Sequence, residues 1–147
     1  MDNPQIQLVL QLLIAVVLGG VIGLEREYKK KEAGLQTYAL VTLGACLFTI
    51  ISFEVFNFFA SKSGISFDPS RIILAVATGI GFIGGGVIVH REFRTEGLTT
   101  AAGLWTAAAI GVTVGLKLYF LAFLAALFTI FILIVFGELE KRNFLKK

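Results

Sequence analysis

Long apolar runs alternate with short charged connections along the whole chain. Five runs, at 6–24, 37–53, 72–89, 98–116 and 118–136, contain no Asp, Glu, Lys, Arg, His or Pro. At about 1.5 Å of rise per residue, each is long enough to cross or nearly cross ~30 Å of hydrocarbon as a helix. With their flanks they predict spans over about 5–24, 36–59, 70–90, 98–116 and 118–137. The expected fold is an all-α integral membrane protein: one transmembrane domain over 1–147, built from two parallel-repeat helical hairpins and a fifth helix. Five buried helices of a water-soluble bundle would leave almost nothing polar to face solvent.

The repeat lies in two connections that echo one another. Gly19-Gly20-Val21-Ile22, Arg26-Glu27-Tyr28 and Glu32-Ala33-Gly34-Leu35-Gln36-Thr37 form the first copy. Gly85-Gly86-Val87-Ile88, Arg91-Glu92-Phe93 and Glu96-Gly97-Leu98-Thr99-Thr100 form the second. The offset slips from 66 to 63 residues while the order of chemistry is kept. In an apolar chain this suggests a duplicated helix–loop–helix unit about an axis along the membrane normal.

Charge then orients the spans. Ten cations (Arg26, Lys29, Lys30, Lys31, Arg91, Arg94, Lys141, Arg142, Lys146 and Lys147) fall on one side, against Lys62, Arg71 and Lys117 on the other. The positive-inside rule places the N-terminus outside and the C-terminus in the cytoplasm of a cytoplasmic (inner) membrane. The basic balance, +3 at pH 7, belongs to a rim beside anionic lipid and not to a nucleic-acid binder. Met1-Asp2-Asn3-Pro4 lacks the basic start of a signal peptide, so the first run should remain as a span, capped by Asn3 with Pro4 following. The lone Cys46 excludes an intrachain disulfide.

Small residues recur at every fourth position: Ala15, Gly19 and Gly23; Ala77, Gly81 and Gly85; Gly103, Ala107, Gly111 and Gly115. Such faces let helix backbones approach closely in lipid, which predicts a compact bundle or a tight homodimer. Gly111→Leu should therefore weaken assembly. The bulky fifth span suits a lipid-facing position. Gly79-Ile80-Gly81-Phe82-Ile83-Gly84 matches a dinucleotide fingerprint, but it lies inside a span with no acidic residue about 20 positions on. Gly79, Gly81, Gly84 and Gly85 are read instead as a packing seam.

Candidate chemistry gathers at the cytoplasmic rim. Glu25, Arg26, Glu27, Arg91 and Glu92 form a charged cluster that the repeat would bring together. Glu25, Glu27 and Glu92, with Glu96, could offer oxygens to Mg²⁺, although no carboxylate lies within an apolar run. Thr37, Thr99 and Thr100 sit at helix N-termini, where Arg91 or Arg94 could help hold an anion or lipid headgroup. Asp68 caps the third span from outside, with Arg71 able to pair with it or with Glu54. His90 has no histidine partner for a metal, and Trp105 reads as packing. There is no nucleophile elbow, metal-binding histidine pair or phosphate loop, so no enzyme is expected.

These segments together resemble the MgtC/SapB membrane proteins. Gly23-Leu24-Glu25-Arg26-Glu27, Ala33-Gly34-Leu35 with Thr37, Asp68-Pro69-Ser70-Arg71-Ile72, the Gly79–Gly84 run, and Gly97-Leu98-Thr99-Thr100-Ala101-Ala102 with Trp105 carry the likeness, over about residues 10–136. The resemblance implies a five-helix prokaryotic cytoplasmic-membrane protein linked to survival under Mg²⁺ limitation and, in pathogens, to growth inside macrophages. It implies a regulator of other membrane machinery, notably ATP synthase and ion or phosphate uptake, more than a carrier. Gln36 stands where the family often has arginine, which weakens an anion site there. The chain stops at Lys147 without the soluble domain of longer members, so a short, SapB-like form is expected. The leading expectation is a non-enzymatic protein acting by helix contacts with itself or another membrane protein. A Mg²⁺ or other cation transporter or channel formed by an oligomer is the alternative, and a lipid-binding module a third.

Overall fold

The computed structural model describes residues 3–60, 68–91 and 94–144. Five helices long and apolar enough to span a membrane run through Pro4–Tyr28, Leu35–Phe59, Ser70–Val87, Leu98–Gly115 and Tyr119–Arg142. We label the elements α1 (Pro4–Tyr28), α2 (Leu35–Ala60), α3 (Ser70–Val87), β1 (Val89–Arg91), β2 (Arg94–Glu96), α4 (Leu98–Gly115), α5 (Tyr119–Phe131) and α6 (Gly137–Phe144). A π-helical turn, Ile132–Phe136, joins α5 to α6 without interrupting the span.

Local chemistry sets the ends. Asn3 Oδ1 accepts the Gln5 N–H at 3.0 Å and Pro4 follows at the first helical position, as expected. α1 and α4 stop in the same way. Lys30 N donates to Glu27 O at 2.9 Å and Lys31 N to Arg26 O at 3.0 Å; Lys117 N donates to Val114 O at 2.9 Å and Leu118 N to Thr113 O at 3.1 Å. These paired bonds close a Schellman turn around a left-handed residue, usually glycine. Here it is Lys30 (φ 51) and Lys117 (φ 62).

The third span is shorter than the 70–90 read from hydropathy. It ends at Val87, and β1 pairs antiparallel with β2 in the register Val89↔Glu96, His90↔Thr95, Arg91↔Arg94. The β-branched run Val87-Ile88-Val89 favours extended backbone at this point. Gly97 (φ +86) completes the turn: a Cβ there would collide with the Val87 carbonyl oxygen, so both conformation and space demand glycine.

α2 and α4 form the centre, with α1 packed on both and α5 on α4 and α1. α3 touches α4 and, more lightly, α2. Small-residue faces make the central contacts. A Cβ on Gly19 would strike Thr42 Oγ1, and one on Gly23 would lie 2.7 Å from the Leu35 Cα. On the other side of α2, Gly103 meets the Tyr38 hydroxyl, Gly111 the Thr42 carbonyl, and Gly115 the Thr49 Cβ. Gly111 is thus spent on a contact within the chain, so Gly111→Leu bears on folding before assembly. In α5, Ala122, Ala126 and Thr129 turn inward, while Phe120, Phe123, Phe128 and Phe131 face out, as a lipid-facing helix requires.

Candidate functional site

At one end of the bundle the C-terminus of α1, the 29–34 connection and the N-termini of α2 and α4 meet. Arg26 is 3% exposed, the one buried charge among the described residues. Its guanidinium forks onto Glu25, Nε to Oε2 at 2.5 Å and Nη2 to Oε1 at 3.0 Å. Lys29 Nζ lies 2.7 Å from Glu25 Oε1 and also donates to the Leu133 carbonyl at 3.2 Å, tying α1 to the π turn. A bidentate pair at the edge of hydrocarbon is a strong, directional contact.

The other two carboxylates are also committed. Glu27 Oε2 accepts the Leu35 N–H at 2.8 Å and so satisfies the start of α2. Glu32 Oε2 accepts the Thr100 hydroxyl at 2.5 Å, and Tyr38 Oη donates to the Thr100 carbonyl at 3.3 Å. The Thr100 hydroxyl, then the Glu32 backbone N–H, hold the Glu32 carboxyl below its ordinary pKa against a smaller opposing cost of burial. Glu27 and Glu32 thus each satisfy a donor from another part of the fold. Glu25 and Glu27 are held by different donors, Arg26 with Lys29 for the first and the Leu35 N–H for the second. Among the described residues no group of three His, Cys, Asp or Glu side chains could hold a metal ion.

The expected partners from the second hairpin are only partly on view. Arg91 enters through its backbone pairing with Arg94, and Glu92 lies outside the described residues, as does Lys62. His90 is exposed, with Nδ1 3.1 Å from Thr95 Oγ1. Thr99 is exposed and Thr37 half-buried. Of these three threonines, Thr100 is the one drawn into the network, by Glu32, a residue not singled out from the sequence.

Elsewhere, Asp68 Oδ1 accepts the Ser70 N–H at 2.9 Å from two positions before α3, whose N-cap position is taken by Pro69. Hydrogen bonds from the Ser70 side chain and backbone, with a smaller pull from Arg71, hold its carboxyl below the usual range. In the glycine run, Gly84 packs on Ala101, whereas Gly79, Gly81, Gly85 and Gly86 have no neighbour that a Cβ would touch. The run therefore presents most of its glycines outward. Trp105 is exposed at 56% and borders a shallow apolar cleft between α3 and α4.

At the opposite end lies a polar group that sequence reasoning missed. Gln11, 1% exposed, donates through Nε2 to the Val114 carbonyl at 3.1 Å and the Gly115 carbonyl at 3.0 Å. The pair Gln7 and Gln11, one turn apart in an otherwise apolar run, was the available signal.

Apolar helices that alternate in direction, with charge gathered at their ends, define a multi-pass membrane protein. The chain matches the MgtC family model over residues 12–142 and belongs to that family. It is 40% identical over 136 residues to a protein of Escherichia coli K12 named "Putative magnesium transporter YhiD", covering 92% of this chain and 63% of that one. Protein SapB of Bacillus subtilis is 40% identical over 122 residues, 82% of this chain and 53% of its own length. Protein MgtC of Brucella abortus is 42% identical over 116 residues, 79% of this chain and 45% of its own. The chain thus spans about half to two thirds of these relatives. No solved structure matches it.

Proposed function

We propose that this is a non-enzymatic protein of the cytoplasmic membrane, linked to Mg²⁺ homeostasis, that acts through lateral helix contacts. Its N-terminus lies outside and its C-terminus in the cytoplasm, following the ten-to-three excess of cations at the Arg26 end. The observation that carries the reading is the open face of α3. Ala77, Gly81 and Gly85 are exposed at four-residue spacing, and Cβ atoms added at Gly81 or Gly85 would meet nothing. In lipid, such a face gains by close approach of a second helix, from another copy or another membrane protein. The charged end supports a structural rather than catalytic role, because Glu25, Glu27 and Glu32 are each engaged within the fold. Lipid is the surrounding partner, and a homodimer through α3 is the assembly favoured.

The name carried by YhiD supports a second reading, an oligomer that moves Mg²⁺ or another cation. Purified protein in proteoliposomes separates the two. The first predicts no Mg²⁺ flux above protein-free vesicles, together with a dimer that Gly81→Leu converts to monomer in native mass spectrometry. Selective Mg²⁺ flux lost in Glu25→Gln would overturn it.

A further inference from the structure

The third span is held along a narrow strip. Ile80 and Gly84 are the buried residues of α3, which packs on α4 and touches α2 only lightly. A groove of about 370 Å³ opens between α2 and α3. It runs from Leu40 to Phe48 on α2 and from Ile72 to Ile83 on α3, and buried Ala108 of α4 lines it from behind.

Chemistry, width and depth together say what fills it. Every lining side chain is apolar, so water finds no side-chain partner there and hydrocarbon is the natural occupant. A helix about 10 Å across would need roughly 1,000 Å³ or more over the same length, so the groove does not seat one. It takes a single narrow chain. From Ile72 to Ile83 the groove is about 17 Å long at 1.5 Å per residue, close to the ~15 Å depth of one leaflet's hydrocarbon. Its Ile72 end lies at the start of α3, where the span meets the membrane surface. Arg71 is exposed at that mouth, one turn before the groove-lining Ala75 on the same helix face. Helical side chains lean toward the N-terminus, so the guanidinium is carried out of the hydrocarbon to the level of lipid phosphates.

We infer that the α2–α3 groove holds one acyl chain of an anionic phospholipid whose headgroup phosphate is bound by Arg71. Gly44 and Gly79 provide the room, since a Cβ added at either would meet nothing within 4 Å. Elsewhere in the bundle glycines bring two helices into contact; these two leave space for a third component. The tail restores dispersion contacts that an unfilled groove forfeits. Gly81 and Gly85 lie outside the groove lining, so a bound lipid does not compete with a helix docked on their face. The site therefore stands whether or not the chain dimerises or moves an ion.

The test is native mass spectrometry on the full chain, stripped of lipid in detergent and titrated with dioleoyl phosphatidylglycerol or dioleoyl phosphatidylcholine. Wild type should retain one phosphatidylglycerol per chain under activation that removes the rest. Gly44→Leu and Gly79→Leu each place a side chain in the tail's space and should lower that retention by about 10-fold or more. Their lipid-free thermal midpoints should hold or rise, because leucine is the better helix former. Gly81→Leu should retain lipid as wild type does. Arg71→Gln should keep the tail while the preference for phosphatidylglycerol over phosphatidylcholine falls about fivefold. Retention untouched by both groove variants, equal loss in Gly81→Leu, or lipid numbers that rise without saturating would overturn the site. An oligomer that dissociates in Gly44→Leu with no lipid lost would overturn it in favour of a second copy. An unchanged headgroup preference in Arg71→Gln would overturn the placement of the phosphate.

Discussion

The two helical hairpins, so alike in sequence order, are packed in different ways. In the first, Gly19 and Gly23 of α1 press directly on Tyr38, Thr42 and Leu35 of α2, and the connection is a tight turn sealed by Glu27. In the second, α3 rests on α4 at Gly84 and Ala101 but leaves Gly79, Gly81, Gly85 and Gly86 open, and a β-hairpin replaces the turn. Both hairpins reverse at the same end, as the Glu32–Thr100 hydrogen bond requires. One helix of each became the centre, since α4 presents Gly103, Gly111 and Gly115 to α2 and α3 remains on the outside. A repeated motif fixes direction and connection, while the partner across the seam decides which copy is buried.

This contrast can be broken at its tightest points first. Glu25→Met strands the buried Arg26 guanidinium and should cost about 3–5 kcal/mol, seen as a large fall in the thermal midpoint in detergent. Gly111→Leu drives a side chain onto the Thr42 carbonyl and should cost about 1–3 kcal/mol or more. Gly81→Leu, open on α3, should leave the midpoint of the single chain unchanged; an equal loss in both would erase the distinction between the hairpins. Gly97→Ala should cost about 1–2 kcal/mol from its left-handed backbone alone.

The smallest expected effect is a pH dependence. Glu32 has a folded pKa below its ordinary value of 4.5, so the Thr100 tie is fully present above that pH and fades as pH falls through the lower folded value. Thr100→Val should flatten the acid limb of a stability–pH curve measured between wild type and variant. A limb of unchanged slope would mean that Glu32 does not couple α4 to the connection.

Much of this architecture was legible because hydrocarbon demands it. Five apolar helices, the Asn3-Pro4 start and the small faces of α1 and α4 follow from burial and close approach, and apart from the early end of α3 they appear where the pattern places them. That Glu25 and Arg26 lie at the edge of hydrocarbon was readable from their position directly after Gly23-Leu24; that they pair with each other within the chain was not. Gln11 was not, because a neutral amide does not interrupt a hydropathy run, and its value lies in two carbonyls over 100 residues away. Glu32 was hidden for the same reason: its partner Thr100 is 68 residues distant, and no local period announces the contact. The first two residues of the hairpin, 89 and 90, fall inside the 70–90 span because Val and Ile raise hydropathy equally in strand and helix.

The widened turn at Ile132–Phe136 has a consequence for whatever follows the fifth span. A π turn accommodates one residue more than an α turn, so every later side chain is rotated by about 100° about the helix axis. That angular phase decides which way Glu138 and Lys141 point, and Lys29 holds it from the side by grasping the Leu133 oxygen. Deleting Val135 would restore a regular helix and swing the Glu138–Lys141 stripe to a different azimuth, with no change in composition at the membrane surface.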